Sequence, residues 1–289
     1  MNDDRSFNRI VLATDGSEGA QAAVLATIDL ARFTPAIVRV VHIWNLEIHH
    51  RHGVWDVELR SEAERLAQDT VDQLTRAGVM AEKEIFRADN KHIAASIALI
   101  AHDFAADVVV IGSRGLSDWK SLFEHSVSHQ VLAAVDCPVL IVRSLPTEGT
   151  LSTSRILVAV AGGADVAPAV KAASAVAATH QACAVKVVHV LQSIIATQGY
   201  AFIETEQEAD AALDEAVALF KLNGIHAERE AIAPAPVASA LVDAAAAFNA
   251  DLIVTGSSRM GDASSLLLGS VSHDLLHRTE IPVLVAARS

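Results

Sequence analysis

The chain has 289 residues, a net charge of −13, and a composition that is 52% hydrophobic but only 4% aromatic. So acidic a surface argues against nucleic acid or an anionic membrane as the main partner. No apolar run approaches membrane-spanning length, and the opening MNDDRSFNRIVLATDG lacks the charged-then-apolar order of a secretion signal, so a cytoplasmic protein is expected.

In chain order, β-branched runs near 9–14, 37–43, 79–86, 107–111 and 138–142 alternate with helical patterns near 18–32, 56–77, 91–105 and 126–135. Strands separated by helix-length crossovers imply a parallel sheet covered on both faces. The order then repeats, with helices near 164–179, 204–222, 236–248 and 270–279. FNRIVLATDGS (7–17) returns as TSRILVAVAGG (153–163), and IVRVVHI (37–43) as AVKVVHV (184–190). AADVVVIGS (105–113) returns as NADLIVTGS (249–257), and DCPVLIV (136–142) as EIPVLVA (280–286). The expected architecture is α/β, two tandem doubly wound domains over residues 1–145 and 146–289, each a five-stranded parallel sheet with helices on both faces. SLPTEGTLSTS (144–154) reads as the linker. The charge is shared evenly, −6 on residues 1–144 and −7 on residues 145–289. Cys137 and Cys183 lie in or beside apolar strands and are expected to be buried, reduced thiols.

Open parallel sheets bind ligands beyond the carboxyl ends of their strands, where the strand order reverses. The first strand ends in ATDGSEG, placing Asp15 and Gly16 at its tip, and the fourth ends in IGSRG, placing Gly112 at its tip. If these strands are neighbours, a carboxylate at Asp15 faces a glycine-bearing loop that backbone amides can turn toward phosphate. Ser126 would add a hydroxyl and an amide at a helix N-terminus. A purely structural reading stands beside this one. Glycine after a strand is common in α/β folds, and Asp15 equally suits a cap for the helix beginning near Ser17. The chain contains no G-x-S-x-G, complete Walker loop or HExxH, so no catalytic residue is assigned and an enzyme is not expected.

ATDGSEGAQAAV (13–24), VVHI (40–43), the stretch from GSRG to SVSH (112–129), CPVLIV (137–142) and their second copies resemble the universal stress protein family in its tandem form. The nucleotide-binding branch of that family carries Gly, two residues, Gly, nine residues, then Gly followed by Ser or Thr. The resemblance implies an adenine-nucleotide (ATP) site with Mg2+ as a possible companion. Asp15 would hold the adenosine part, and the backbone of Ile43 would meet adenine. Gly112 and Gly115 would line ribose and phosphates, with Arg114 between them, and Ser126 and Val127 would bind phosphate. His125 stands where the third glycine belongs. In the second copy Gly256, Gly269, Ser270 and Val271 match and Val190 corresponds to Ile43, but Ala161 replaces Asp15 and Arg259 replaces the second glycine. The resemblance also implies pairing through the fifth strand, a homodimer of tandem chains, and a protein partner of unknown identity. Two other readings remain open: a nucleotide-free partner-binding module, and a slow ATP hydrolase.

His125 has three readings: occlusion of the terminal phosphates, which would favour AMP or ADP; donation to them; or a solvent-facing substitution. Arg114 and Arg259 suit a phosphate or plain solvent. IHHRHGVW (48–55) holds three histidines at a spacing that matches no standard ligand set and is read as a polar loop. His42 and His189 read as satisfied structural groups, and His129 and His273 as facing outward.

Overall fold

The computed structural model describes residues 6–49, 53–56, 59–89, 91–113, 126–143, 153–161, 166–180, 182–196, 199–202, 204–256 and 270–287, with main chain alone at 45–49, 53–56, 193–196, 199–202 and 270. The chain forms two compact units, from Phe7 to Leu151 and from Ser152 to Ser289.

The first unit runs β1 (Arg9–Ala13), α1 (Glu18–Ala31), β2 (Ile37–His49), β3 (Gly53–Asp56), α2 (Arg60–Arg76), β4 (Met80–Asp89), α3 (Ile93–Phe104), β5 (Val108–Gly112), α4 (Val127–Ala134) and β6 (Val139–Val142). Its strands pair in parallel in the order β4-β2-β1-β5-β6, so the order reverses beside β1, whose two neighbours are β2 and β5. Consecutive residues Ile10, Val11 and Leu12 are fully buried, as are Val108, Val109 and Val110. Burial of successive residues means that both faces of the sheet are covered, which is why these strands read as unbroken apolar runs. Helix α1 is rich in alanine, and Ala20, Ala22, Ala23 and Ala26 are buried. Small side chains there let the helix backbone approach the sheet closely.

One expectation fails here. Residues 48–55 were expected to form a loop, yet β2 runs on to His49 and pairs with β3 in an antiparallel hairpin, Leu46 opposite Asp56 and His49 opposite Gly53. The period-two alternation of Leu46 and Ile48 with Asn45, Glu47 and His49 is the signal for it. Because β3 takes residues 53–56, α2 begins at Arg60 rather than at 56.

The second unit runs β7 (Arg155–Ala159), α5 (Val166–Ala177), β8 (Ala184–Val190), β9 (Ser193–Ala196), β10 (Gly199–Phe202), α6 (Glu206–Leu222), β11 (Ala227–Ile232), α7 (Val237–Phe248), β12 (Leu252–Thr255), α8 (Ser270–Arg278) and β13 (Val283–Val285). Its parallel order is β11-β8-β7-β12-β13, with β9 and β10 forming a separate antiparallel ribbon.

At the amino ends of the strands each unit is clasped by the same groups. Asp107 accepts the main-chain N–H of Asn8 and of Arg9, both at 2.8 Å. Asp251 accepts those of Ser154 and Arg155, at 3.0 and 2.9 Å. Arg9 and Arg155 donate to the carbonyls of Phe104 and Phe248, at the ends of α3 and α7. Beyond these helices, Ala105 and Asn249 both adopt the left-handed region at φ 51°. Arg39 bridges Glu82 and Glu84 over the Phe104 ring, and Lys186 bridges Glu228 and Glu230 over Phe248.

Candidate functional site

In the first unit, β1 and β5 run side by side, with Ala13 opposite Ile111, so Asp15 and Gly112 leave adjacent strand ends. Thr14 continues the ladder by donating to Val41 O at 3.0 Å, and the chain then turns away through Gly16, at φ 76°. Asp15 is exposed, and its Oδ1 accepts the N–H of Ser17 at 3.0 Å. The cap of α1 is Ser17 itself, whose Oγ accepts from Ala20 N at 3.2 Å. Asp15 therefore shapes the turn into the helix and does not cap it.

Val41 O faces β1. Main-chain groups on one side of a strand recur every second residue, so Ile43 presents its N–H and C=O on that same side, past the point where β1 has ended. His42 is buried, with Nδ1 2.9 Å from Thr14 O. A carbonyl only accepts, so Nδ1 carries the hydrogen. On the other side of β1, Ser126 is the N-cap of α4. Its Oγ lies 2.7 Å from His129 Nδ1 and accepts the His129 N–H at 3.4 Å, and Val127 opens the helix. Asp15, the Ile43 main chain, Gly112 and the start of α4 thus lie around the carboxyl ends of three neighbouring strands. Arg114, Gly115 and His125 lie outside the described residues.

Gly112 has a structural reason of its own. A Cβ built there would come within 2.2 Å of Gly19 C and O and 2.5 Å of Ala20 N, while one built on Gly19 would meet Ser113 O at 2.6 Å. The two glycines allow the α1 backbone to rest directly on the end of β5. Sequence reasoning assigned Gly112 to a ligand and overlooked Gly19, whose signal was a glycine inside an otherwise alanine-rich helix.

The second unit repeats the frame with different chemistry. Val160 donates to Val188 O at 3.0 Å and Leu191 donates to Ile232 O on the opposite side, so Val190 turns its main chain past the end of β7 as Ile43 does past β1. Ala161, exposed, supplies no carboxylate. Gly256 is buried, and its carbonyl accepts from Thr255 Oγ1 at 3.2 Å and from Ser272 Oγ at 3.3 Å, tying the first turn of α8 to the end of β12. Ser270 opens α8, Val271 is half-buried, and Gly269 and Arg259 lie outside the described residues. His189, 1% exposed, sets Nδ1 2.9 Å from Val160 O and Nε2 2.7 Å from Glu204 Oε2. That carboxylate immediately precedes Thr205, the N-cap of α6. The residue ahead of the α2 N-cap is Glu58, and this recurrence was the overlooked signal for the pair.

His129 and His273, expected to face outward, are half-buried. His129 meets the Ser126 hydroxyl, and His273 Nε2 lies 3.1 Å from His277 Nε2. The expectation failed because each ring has a polar partner on its own helix or its cap, Ser126 for His129 and His277 for His273. Cys137 and Cys183 are free thiols, half-buried and not fully enclosed. Burial pushes each up to about 11, assisted by the negative charge of Asp107 and Asp136 at Cys137 and of Asp251 at Cys183. Of the 49–52 histidines, His50 and His52 lie outside the described residues, and His49 is described by its main chain alone. Among the described residues no helix is long and apolar enough to cross a membrane.

Topology and strand-end geometry define the class: a doubly wound α/β module, present twice, with a reversal of strand order in each sheet. The family model for the universal stress protein family matches residues 6–143 and again 153–287. A universal stress protein of Mycobacterium tuberculosis is 26% identical over 305 residues, covering all of both chains. One from Thermus aquaticus is 31% identical over 138 residues, covering 47% of this chain and 99% of its own. Among solved structures, a universal stress protein from Archaeoglobus fulgidus has a TM-score of 0.76 at 22% identity, covering 98% of this chain and 97% of that one. The chain belongs to the universal stress protein family, in its tandem two-domain form.

Proposed function

We propose that this protein is a cytoplasmic stress-response regulator that binds an adenine nucleotide in its first unit, and that its output is a nucleotide-dependent choice of protein partner rather than rapid chemistry. The observation that carries the reading is the exposed Asp15 carboxylate beside the outward-turned main chain of Ile43, with the N-terminus of α4 across β1. A carboxylate suits ribose hydroxyls or the adenine amine, strand-end amides and carbonyls suit an adenine edge, and a helix N-terminus suits phosphate. Mg2+ would accompany the phosphates, and two tandem chains would assemble as a homodimer. The second unit, with Ala161 in place of the carboxylate, would bind more weakly or not at all.

Calorimetric titration of the full chain with ATP and with AMP, each with magnesium, tests the reading. One equivalent of nucleotide is expected, with AMP at least as tight as ATP if His125 occupies the space of the terminal phosphates. No heat with either ligand would sink the proposal. The packing of Gly112 on Gly19 favours a second reading, a nucleotide-free partner-binding module, because it explains that glycine without a ligand. Steady phosphate release from ATP would favour a slow hydrolase.

A further inference from the structure

We propose that His273 and His277 of α8 form a chelating site for a transition-metal dication of the zinc, nickel or copper class. The two residues stand at positions i and i+4, the spacing at which histidines on one helix face converge on zinc. Their Nε2 atoms are 3.1 Å apart, and the rings meet edge to face with centroids 4.4 Å apart. With metal–nitrogen bonds of ~2.0–2.1 Å, nitrogens at that separation subtend roughly 95–102° at the metal. That lies between octahedral and tetrahedral angles, so the separation of the two nitrogens suits a shared metal.

The intervening residues hold the pair in place. Leu275 is fully buried and Leu276 nearly so, which fixes the rotation of α8 about its axis. Both histidines are half-buried, which limits their rotamers while leaving room for the remaining ligand positions to be filled by water or another donor. Two imidazoles are borderline donors, so they favour zinc, nickel, copper or cobalt over magnesium and calcium. The pair belongs to the second copy alone. The equivalent helix, α4, has His129 in the place of His273 but Ala133 in the place of His277.

The test uses the full chain, stripped with a chelator and titrated with Zn2+ and with Ni2+ against a chromophoric competitor. One tight equivalent is expected, unaffected by a large excess of Mg2+, and the metal should raise the Tm. His273→Ala and His277→Ala should each weaken that equivalent at least tenfold and abolish the Tm rise. Circular dichroism of each metal-free variant checks folding, and His277→Ala reproduces a residue that the equivalent helix already carries. The protein has 13 histidines, so the double variant His50→Ala, His52→Ala is titrated alongside and should retain the tight equivalent. Loss of the equivalent only in that double variant would overturn the proposal. So would its persistence in both α8 variants, or its absence from the wild-type protein.

Discussion

At the amino ends of the strands the two units repeat each other group for group: Arg9 and Arg155, Asp107 and Asp251, Phe104 and Phe248, even the left-handed residue after α3 and α7. At the carboxyl ends they part. Asp15 is replaced by Ala161, and Gly112 packs on Gly19 where Gly256 is tied by Ser272. A clasp that closes the sheet is needed by any sequence with this fold, whereas an exposed strand-end position such as Asp15 or Ala161 carries no such demand. Two copies of one frame have therefore kept their amino-end scaffolding and diverged at the carboxyl ends of their strands.

The largest expected effect is on the scaffold itself. Gly112→Ala should destabilise the first unit by on the order of 3 kcal/mol, because the added methyl meets helix backbone that cannot turn aside. Urea unfolding measures it; a loss below 1 kcal/mol would mean that α1 shifts freely and that Gly112 is kept for a ligand.

At the divergent end, Asp15→Ala should weaken adenine-nucleotide binding by about 1.5–3 kcal/mol, roughly ten- to hundredfold, as loss of a charge-assisted hydrogen bond does. Its effect on Tm should be small, since Ser17 remains as the cap of α1. The reciprocal change Ala161→Asp should strengthen binding by the second unit. If calorimetry finds neither change altering affinity or stoichiometry, the carboxylate is not what separates the two units.

Glu204→Ala should cost about 1–3 kcal/mol, because it removes the carboxylate that meets Nε2 of a histidine that is 1% exposed. Thermal unfolding of the variant decides it, and an unchanged Tm would show that His189 Nε2 finds another partner.

A smaller effect should come from a residue of the clasp that differs between the units. Ala105 sits at φ 51° where the second unit has Asn249, and alanine is strained in that region while asparagine tolerates it. Ala105→Asn should stabilise by roughly 0.5–1 kcal/mol, read as a rise in the urea midpoint.

At neutral pH the two thiols should contribute no pH dependence. Each is raised from 9.0 to about 11 by burial in the folded protein, so it binds its proton more tightly folded than unfolded. That stabilisation is fully present below pH 9 and is lost as pH rises from 9 to about 11. The double variant Cys137→Ala, Cys183→Ala should flatten the stability profile in that window, and an unchanged profile would assign the loss to other groups.

The sequence by itself determined the strand and helix order, the repeat, and the family, because each rests on local signals: apolar runs, helix-length crossovers, and motifs whose spacing survives in the one-dimensional string. It also located Asp15 and Ser126 at element ends, since strand tips and serine caps are local features. The hairpin of β2 and β3 was legible in the alternation after Ile43, although His49, His50 and His52 give the same stretch the polar composition of a loop. Only the tertiary structure decided which glycine holds backbone against backbone and that Glu204 reaches His189 across 15 residues of chain. Those relations depend on the rotation of helices and on which strand ends lie side by side, and no local spacing encodes either. Burial then gives each one its energetic weight, because a polar atom without water must find its partner within the fold.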